Sequence, residues 1–278
     1  MSFTPDRSGF VDVPGARIAW RSTGSGRAMI MIHAGIADQS MWDDDIPALT
    51  AGHQVVTYDT RGYGATTESP TAFSNRADCI AVLDHLGIDR AVVLGVSRGG
   101  HIALDTAIEY PDRIAGLIVV NGGLGGLETE PTPEELALFE SEEPLYEARD
   151  WAGIADLDVR LWVDGVGQPA DRVPLAIRER VRTMSLANYV AEHPEGEPIV
   201  LDPPAAGRLA DVRVPTLVIV GELDTTGTRA AMNAVAAGID GARLVIMPGV
   251  AHLPNLEQPE RFRALVLELL DAVDALAA

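Results

Sequence analysis

Short apolar runs rich in β-branched residues recur along the chain, separated by glycine-containing loops and by apolar residues at helical spacing. The strand-like runs are Ala28–His33, Gln54–Asp59, Ala91–Val96, Ile114–Asn121, Thr216–Gly221 and Ala242–Met247. The helical patterns are Met41–Thr50, Ser74–Leu86, Gly99–Tyr110, Thr228–Ala237 and Pro259–Leu276. This alternation predicts an α/β fold in which helices cover both faces of a mostly parallel sheet. An antiparallel hairpin, Phe10–Val13 and Ala16–Ser22, precedes it.

Residues 122–211 break this rhythm. The segment is dense in proline and glutamate, and no strand-like run returns until Thr216. Its helical patterns are Pro133–Glu142, Leu145–Ala152 and Pro174–His193. We therefore predict a core made of residues 1–121 and 212–278, with residues 122–211 inserted as a helical lid over the strand ends.

Composition narrows the range of partners. The chain has 278 residues, 47% of them hydrophobic, and 41 acidic residues against 21 basic ones give a formal net charge of −20. Such a charge repels nucleic acid and anionic membranes, so we expect a small-molecule substrate. Cys79 is the single cysteine, and no apolar run has the length of a signal peptide or membrane span. We expect a cytoplasmic protein, and the sequence does not specify an oligomeric state.

Candidate chemistry begins at Gly95-Val96-Ser97-Arg98-Gly99, directly after a predicted strand and before a helical pattern. Glycines two positions before and after a serine allow a sharp strand-to-helix turn that raises its hydroxyl above the sheet edge. A serine hydroxyl needs a positioned base before it can attack a carbonyl. Ser97 is therefore the predicted nucleophile.

The base and its acid partner are predicted at two further strand ends. His252 follows the last strand, and Asp224 follows the strand before it, in the order serine, aspartate, histidine expected for this turn. Glu222 is a weaker alternative to Asp224, because side chains alternate in direction along a strand end. We expect His252 to accept the Ser97 proton while Asp224 fixes the imidazole tautomer.

The oxyanion formed during the reaction needs N–H donors. One is the backbone N–H of Arg98, at the start of a helix whose dipole favours negative charge. The second is expected in the loop after the Ala28–His33 strand, with Ile36 preferred and Gly35 and Ala37 as alternatives. His33 itself is expected to brace this loop.

These motifs together resemble the α/β-hydrolase superfamily, in its lid-bearing serine hydrolase and esterase branch. The matching pieces, which run over almost the whole chain, are His33-Ala34-Gly35 with Trp42, Asp59-x-Arg61-Gly62-x-Gly64, the turn at Ser97, Gly221-Glu222-x-Asp224, and Gly249-x-Ala251-His252 with Asn255-Leu256-Glu257. The resemblance implies an eight-stranded sheet, a triad of Ser97, Asp224 and His252, and neither a metal nor an organic cofactor.

Arg98 departs from the usual Met or Gln after the nucleophile. Its side chain either pairs with an acidic residue of the lid or core, or offers a cation to a substrate carboxylate. Trp42 and Trp162 are further candidates for substrate contact. The expected activity is hydrolysis of a small carboxylic ester or lactone through an acyl-enzyme on Ser97. Ligand sensing with slow turnover, carbon–carbon bond or amide hydrolysis, and cofactor-free perhydrolysis use the same triad and remain alternatives.

Overall fold

The computed structural model describes residues 3–191, 193–194 and 196–277. Its strands are β1 Arg7–Val13, β2 Ala16–Gly24, β3 Arg27–Ile32, β4 His53–Tyr58, β5 Thr67–Glu68, β6 Ala72–Phe73, β7 Ala91–Val96, β8 Ile114–Val120, β9 Glu197–Pro198, β10 Thr216–Gly221 and β11 Arg243–Met247. Its helices are α1 Ile46–Leu49, α2 Asn75–His85, α3 Arg98–Glu109, α4 Pro133–Phe139, α5 Glu142–Glu147, α6 Trp151–Asp158, α7 Leu175–Val190, α8 Thr226–Gly238, α9 Pro254–Glu257 and α10 Pro259–Ala277.

Eight strands lie side by side in the order β1-β2-β4-β3-β7-β8-β10-β11. All pairs from β4 to β11 are parallel, whereas β1 pairs with β2 and β2 with β4 in antiparallel fashion. The predicted eight-stranded, mostly parallel sheet with an opening hairpin is therefore confirmed. The short strand β5 adds a ninth member by pairing with β2, and β6 and β9 form a separate two-stranded sheet.

The sheet divides the hydrophobic core into two layers, because successive side chains of a strand point to opposite faces. On β3, Ile30 and Ile32 join one layer while Met29 and Met31 join the other. Helices α2, α3 and α8 cover the first layer, and α1 and α10 cover the second. Burial on both faces explains why these strands appear in the sequence as continuous apolar runs.

The predicted helix Met41–Thr50 is wrong in detail. The structure has a 3₁₀ turn at Gln39–Trp42 and a separate one-turn helix α1, in which Pro47 stands near the N-terminus. Proline cannot donate the backbone hydrogen bond of a helix interior, and it disfavours helical geometry in the residue before it. A continuous helix through Pro47 is therefore excluded.

Helices α4 to α7 lie between β8 and β10, within the segment that was predicted to form a lid, and we call these four helices the cap. The predicted helix Leu145–Ala152 does not form, because Arg149 has a positive φ of 52° and Asp150 caps the next helix by accepting from Gly153 N. Helix α6 continues as a π-helical segment, Val159–Asp164. The predicted helix Pro174–His193 is observed as α7, which ends at Val190. Glu192, within the predicted range, lies outside the described residues.

The carboxyl ends of the parallel strands meet at one edge of the sheet, beneath the cap. Ser97 follows β7, Asn121 follows β8, Asp224 comes three residues after β10, and His252 lies in the loop after β11. The four strands are neighbours in the sheet. Across the described residues, no helix is both long enough and apolar enough to span a bilayer.

Candidate active site

Ser97 occupies a strained turn between β7 and α3, with a φ of 57° and a ψ of −121°. Two flanking glycines make the turn possible. A Cβ on Gly95 would lie 1.9 Å from the carbonyl oxygen of Gly99, and a Cβ on Gly99 would lie 2.3 Å from that of Ile32. Any side chain at either position would collide with backbone, so the sharp strand-to-helix turn predicted from the sequence depends on both glycines.

His252 connects Ser97 to Asp224. Its Nε2 lies 2.7 Å from Ser97 Oγ, and its Nδ1 lies 2.7 Å from Asp224 Oδ2. The imidazole and the carboxylate are both buried, whereas Ser97 is partly exposed. With Nδ1–H donating to the carboxylate, Nε2 is left as an acceptor for the serine proton. The structure thus brings the three predicted residues together in the order that nucleophile activation requires.

Glu222, the weaker alternative acid, turns away from the histidine. Its Oε2 accepts a hydrogen bond from Gly249 N at 2.9 Å. Asp224 Oδ1 meanwhile accepts from Thr225 N at 2.7 Å, so one carboxylate oxygen is fixed by the backbone while the other faces His252.

Asn121 ties the strand ends together, and sequence reasoning did not single it out. Its Nδ2 donates to the carbonyl oxygens of Ala251 and His252, and its Oδ1 accepts from Gly221 N. The side chain is 1% exposed, and the residue adopts a φ of +45°. From the end of β8, Asn121 therefore fixes both the backbone before Asp224 and the backbone of His252. The only signal in the sequence was an asparagine directly after a strand, which is also common in turns.

Glu257 holds the His252 loop from the other side. Its carboxylate accepts from Ala251 N at 3.0 Å and from Leu253 N at 3.2 Å, on either side of His252. It also pairs with Arg172 Nη1 at 2.7 Å. Arg172 in turn donates to the carbonyl oxygens of Gly249 and Asp164. The histidine loop is thus bonded to the end of the π-helical segment of the cap.

The loop after β3 is the candidate for the second oxyanion donor. Ala37 N donates to Ala34 O at 3.1 Å, which forms a tight turn with Gly35 and Ile36 at its centre. No hydrogen bond from either central N–H occurs among the described residues. A Cβ on Gly35 would lie 3.6 Å from Arg98 Cβ, so this part of the turn faces the start of α3.

His33 braces the same loop. Its Nε2 accepts from Thr60 N at 3.0 Å, which leaves the proton on Nδ1 to donate to Ala34 O at 2.8 Å. Burial lowers the pKa of His33 to about 4, so the ring is neutral at physiological pH. This neutral form is the one that can accept a backbone hydrogen bond and donate another at the same time.

The chain is similar in sequence and in structure to known proteins. The model of the alpha/beta hydrolase family matches residues 29–265. This chain belongs to the α/β-hydrolase family. A 2-hydroxy-6-oxononadienedioate/2-hydroxy-6-oxononatrienedioate hydrolase of Klebsiella pneumoniae is 28% identical over 269 residues, which cover 91% of each chain. The 3-oxoadipate enol-lactonase 1 of Acinetobacter baylyi is 28% identical over 228 residues, 81% of each chain. Among solved structures, a hydrolase from Pseudomonas aeruginosa is similar with a TM-score of 0.75 and 28% identity, over 96% of this chain and 99% of the other.

Two tryptophans were expected to contact substrate in this α/β hydrolase, and they occupy different places. The ring of Trp162, in the cap, lies 4.4 Å from that of His252, and its carbonyl oxygen accepts from His252 N at 3.3 Å. Trp42 is fully buried, and its ring stacks on Phe262 in the core layer under α10. Trp42 is therefore a core residue, and the expectation that it contacts substrate is not supported.

A cavity of about 800 Å³ lies between the cap and the core. The cap contributes Tyr146, Trp151, Ser185, Asn188 and Tyr189, and the core contributes Gly35, Arg61, Tyr63, Glu68, Phe73 and Arg98. Ser97 and His252 are not among the lining residues, but Arg98, the residue after Ser97, is one of them. The cavity therefore reaches the start of α3 beside Ser97, on the side of the predicted oxyanion loop. Among the residues that the structure describes, no group of three or more acidic, histidine or cysteine side chains is arranged to hold a metal ion.

Proposed function

We propose that this hydrolase cleaves small carboxylic esters or lactones through an acyl-enzyme on Ser97. The observation that carries the proposal is the unbroken hydrogen-bond chain from Asp224 through His252 to Ser97, with 2.7 Å at each link. The strained turn that presents Ser97, and the cavity lined by the neighbouring Arg98, support access of a substrate carbonyl to this serine. The likeness to an enol-lactonase supports a lactone or ester as substrate.

In this mechanism, Ser97 Oγ attacks the carbonyl carbon while His252 Nε2 takes its proton. The negative charge on the former carbonyl oxygen is stabilised by the N–H of Arg98 and by an N–H of the Gly35–Ile36 turn. His252 then gives its proton to the departing alcohol, which leaves the acyl-enzyme. A water molecule activated by His252 releases the acid and restores Ser97. Asp224 stays ionised and stabilises the imidazolium at each stage.

Active-site labelling tests this proposal directly. We expect a fluorophosphonate probe to form an adduct with the wild-type protein and not with Ser97→Ala. Ser185→Ala is the matched control, because Ser185 lines the same cavity but donates its hydroxyl to Asp158. On a panel of 4-nitrophenyl esters and lactones, Ser97→Ala and His252→Ala should each lower kcat by about 10⁶.

Two results would contradict the proposal. The absence of a Ser97 adduct in folded wild-type protein would remove the nucleophile. An adduct combined with negligible turnover over the whole panel would favour ligand sensing instead, in which the triad binds or reacts only slowly.

A second candidate function is hydrolysis of a carbon–carbon bond. The Klebsiella pneumoniae relative is named for 2-hydroxy-6-oxo dienedioate and trienedioate compounds, and its identity extends over 91% of this chain. Such compounds contain no ester, amide or lactone, so their hydrolysis must break a bond between carbons. Adding a 2-hydroxy-6-oxo dienoate to the panel separates the two candidates, because loss of its strong absorbance would reveal carbon–carbon cleavage.

A further inference from the structure

Arg98 places a cation beside the nucleophile and on the wall of the cavity. It is the residue after Ser97 and the first of α3, so the two Cα atoms lie about 3.8 Å apart. The side chain lines the cavity together with Gly35 and Tyr63. A substrate that enters this cavity to reach Ser97 therefore meets the Arg98 side chain on the cavity wall.

Among the described residues, the hydrogen bonds and the ring contact of Arg98 are all with neutral groups. Its Nη1 donates to Thr60 Oγ1, its Nη2 donates to Asn75 Oδ1 at 3.4 Å, and its guanidinium lies 4.8 Å from the centre of the Tyr63 ring. These contacts fix the direction of the side chain. No carboxylate lies within 4 Å of it in the described ranges, so the alternative in which Arg98 pairs with an acidic residue of lid or core finds no support.

Two other arginines, Arg61 on the cavity wall and Arg178 on α7, are paired with carboxylates. Arg61 binds Asp78 through two hydrogen bonds of 2.8 and 2.9 Å, and Arg178 binds Asp164 at 2.8 and 3.0 Å. A partly buried charge is costly unless a counter-charge accompanies it. The contrast indicates that the partner of Arg98 comes from outside the chain.

Two carboxylates line the same cavity, those of Glu147 and Glu68, and neither forms an ion pair with Arg98 within the described residues; Glu68 is the one that Arg98 influences electrostatically. Burial raises its pKa, while a hydrogen bond from Gly62 and the charges of Arg61 and Arg98 lower it. Arg98 therefore acts on Glu68 through space, and Glu68 shares that influence with Arg61. Among the described residues, the hydrogen bonds of Arg98 use two of the five N–H donors of its guanidinium, so further donors are left for a ligand.

We propose that Arg98 binds a carboxylate on the acyl part of the substrate, so that the enzyme prefers esters or lactones that carry a free acid group. A planar guanidinium matches a carboxylate with two parallel hydrogen bonds. The net charge of −20 repels anions at long range, so selection of an anionic substrate requires a local cation of this kind. The inference deepens the proposed function and rests on it.

Two esters with the same leaving group and a four-carbon acyl chain test the proposal. Mono-4-nitrophenyl succinate ends in a carboxylate, and 4-nitrophenyl butyrate ends in a methyl group. We expect wild-type kcat/KM to favour the succinate ester. Arg98→Met should lower the ratio of the two kcat/KM values by about 10–100-fold, mainly through the KM of the succinate ester, and Arg98→Lys should restore part of it.

The matched control is Arg160→Met. Arg160 is an exposed arginine of the cap that does not line the cavity, so its loss changes the net charge equally and should leave the ratio unchanged. Circular dichroism and fluorophosphonate labelling of Ser97 show that the Arg98 variants are folded. An equal loss on both esters, or an unchanged ratio in Arg98→Met, would overturn the carboxylate site while leaving the proposed function in place. If the wild-type protein hydrolyses neither ester through Ser97, the ester form of the proposed function fails, and the inference fails with it.

Discussion

A buried carboxyl group in the cap should make the stability of this protein depend on pH. Asp158 ends α6, is 6% exposed, and accepts a hydrogen bond from Ser185 Oγ on α7 at 2.5 Å. Within the described residues it forms no ion pair. Its pKa is raised from 3.8 to about 7, chiefly by burial and also by the charge of Glu142, which together outweigh the lowering effect of the hydrogen bonds from Ser185 and Tyr189.

The sign follows from comparing the folded and unfolded states. In the unfolded chain the carboxyl loses its proton near pH 3.8, whereas in the folded protein it keeps the proton up to about pH 7. The folded state thus binds the extra proton between these values, and its stability falls as the pH rises through this window. The contribution is fully present below pH 3.8 and is lost above about pH 7. At 1.36 kcal/mol per pH unit, the loss between pH 5 and pH 8.5 is about 2–3 kcal/mol.

Asp158→Asn removes the titration but keeps an oxygen that can accept from Ser185. Urea unfolding at pH 5, 7 and 8.5 measures the effect, and the fluorescence of Trp151 reports on the cap because its ring stacks on Tyr189. Relative to wild type, the variant should gain about 2–3 kcal/mol in the free energy of unfolding between pH 5 and pH 8.5. Asp156→Asn on the same helix is the control, since Asp156 is exposed and paired with Arg182. A difference between Asp158→Asn and wild type that stays constant with pH would refute the reasoning.

Two further predictions concern the groups that hold His252. Asp224→Asn should lower kcat on an ester substrate by about 10⁴, because the amide favours the wrong imidazole tautomer. Glu222→Gln should lower kcat far less, and a larger loss of kcat in Glu222→Gln than in Asp224→Asn would make Glu222 the acid. Glu257→Gln removes the charge opposite Arg172 and places an amide donor beside the N–H groups of Ala251 and Leu253. It should therefore lower the free energy of unfolding by about 2–4 kcal/mol and kcat by about 10–100-fold. Glu260→Gln, exposed at the start of α10, serves as its control, and an unchanged kcat in Glu257→Gln would show that the loop holds His252 without this carboxylate.

The parts of this molecule that could be predicted from the sequence are those fixed by local rules. The Ser97 turn needs glycine at positions 95 and 99 because a Cβ at either position would lie 1.9 or 2.3 Å from a backbone oxygen, and that requirement appears in the sequence as a short motif. Strands buried on both faces appear as continuous apolar runs, so their order along the chain predicted the parallel sheet. Asp224 and His252 were found because each follows such a strand, and carboxyl ends of parallel strands share one edge.

The parts that could not be predicted depend on contacts between residues far apart in the chain. Asn121 reaches the His252 loop across 130 residues, and Arg172 reaches Glu257 across 85. No periodicity marks either residue, because a single hydrogen bond to a carbonyl leaves no repeating pattern. Trp42 shows the converse, since an aromatic residue near a predicted loop has the same appearance in the sequence whether it faces a substrate or packs on Phe262. For Arg98 the sequence left two kinds of partner open. The neutral groups that contact its guanidinium, Thr60, Asn75 and Tyr63, favour the one we propose, a carboxylate of the substrate.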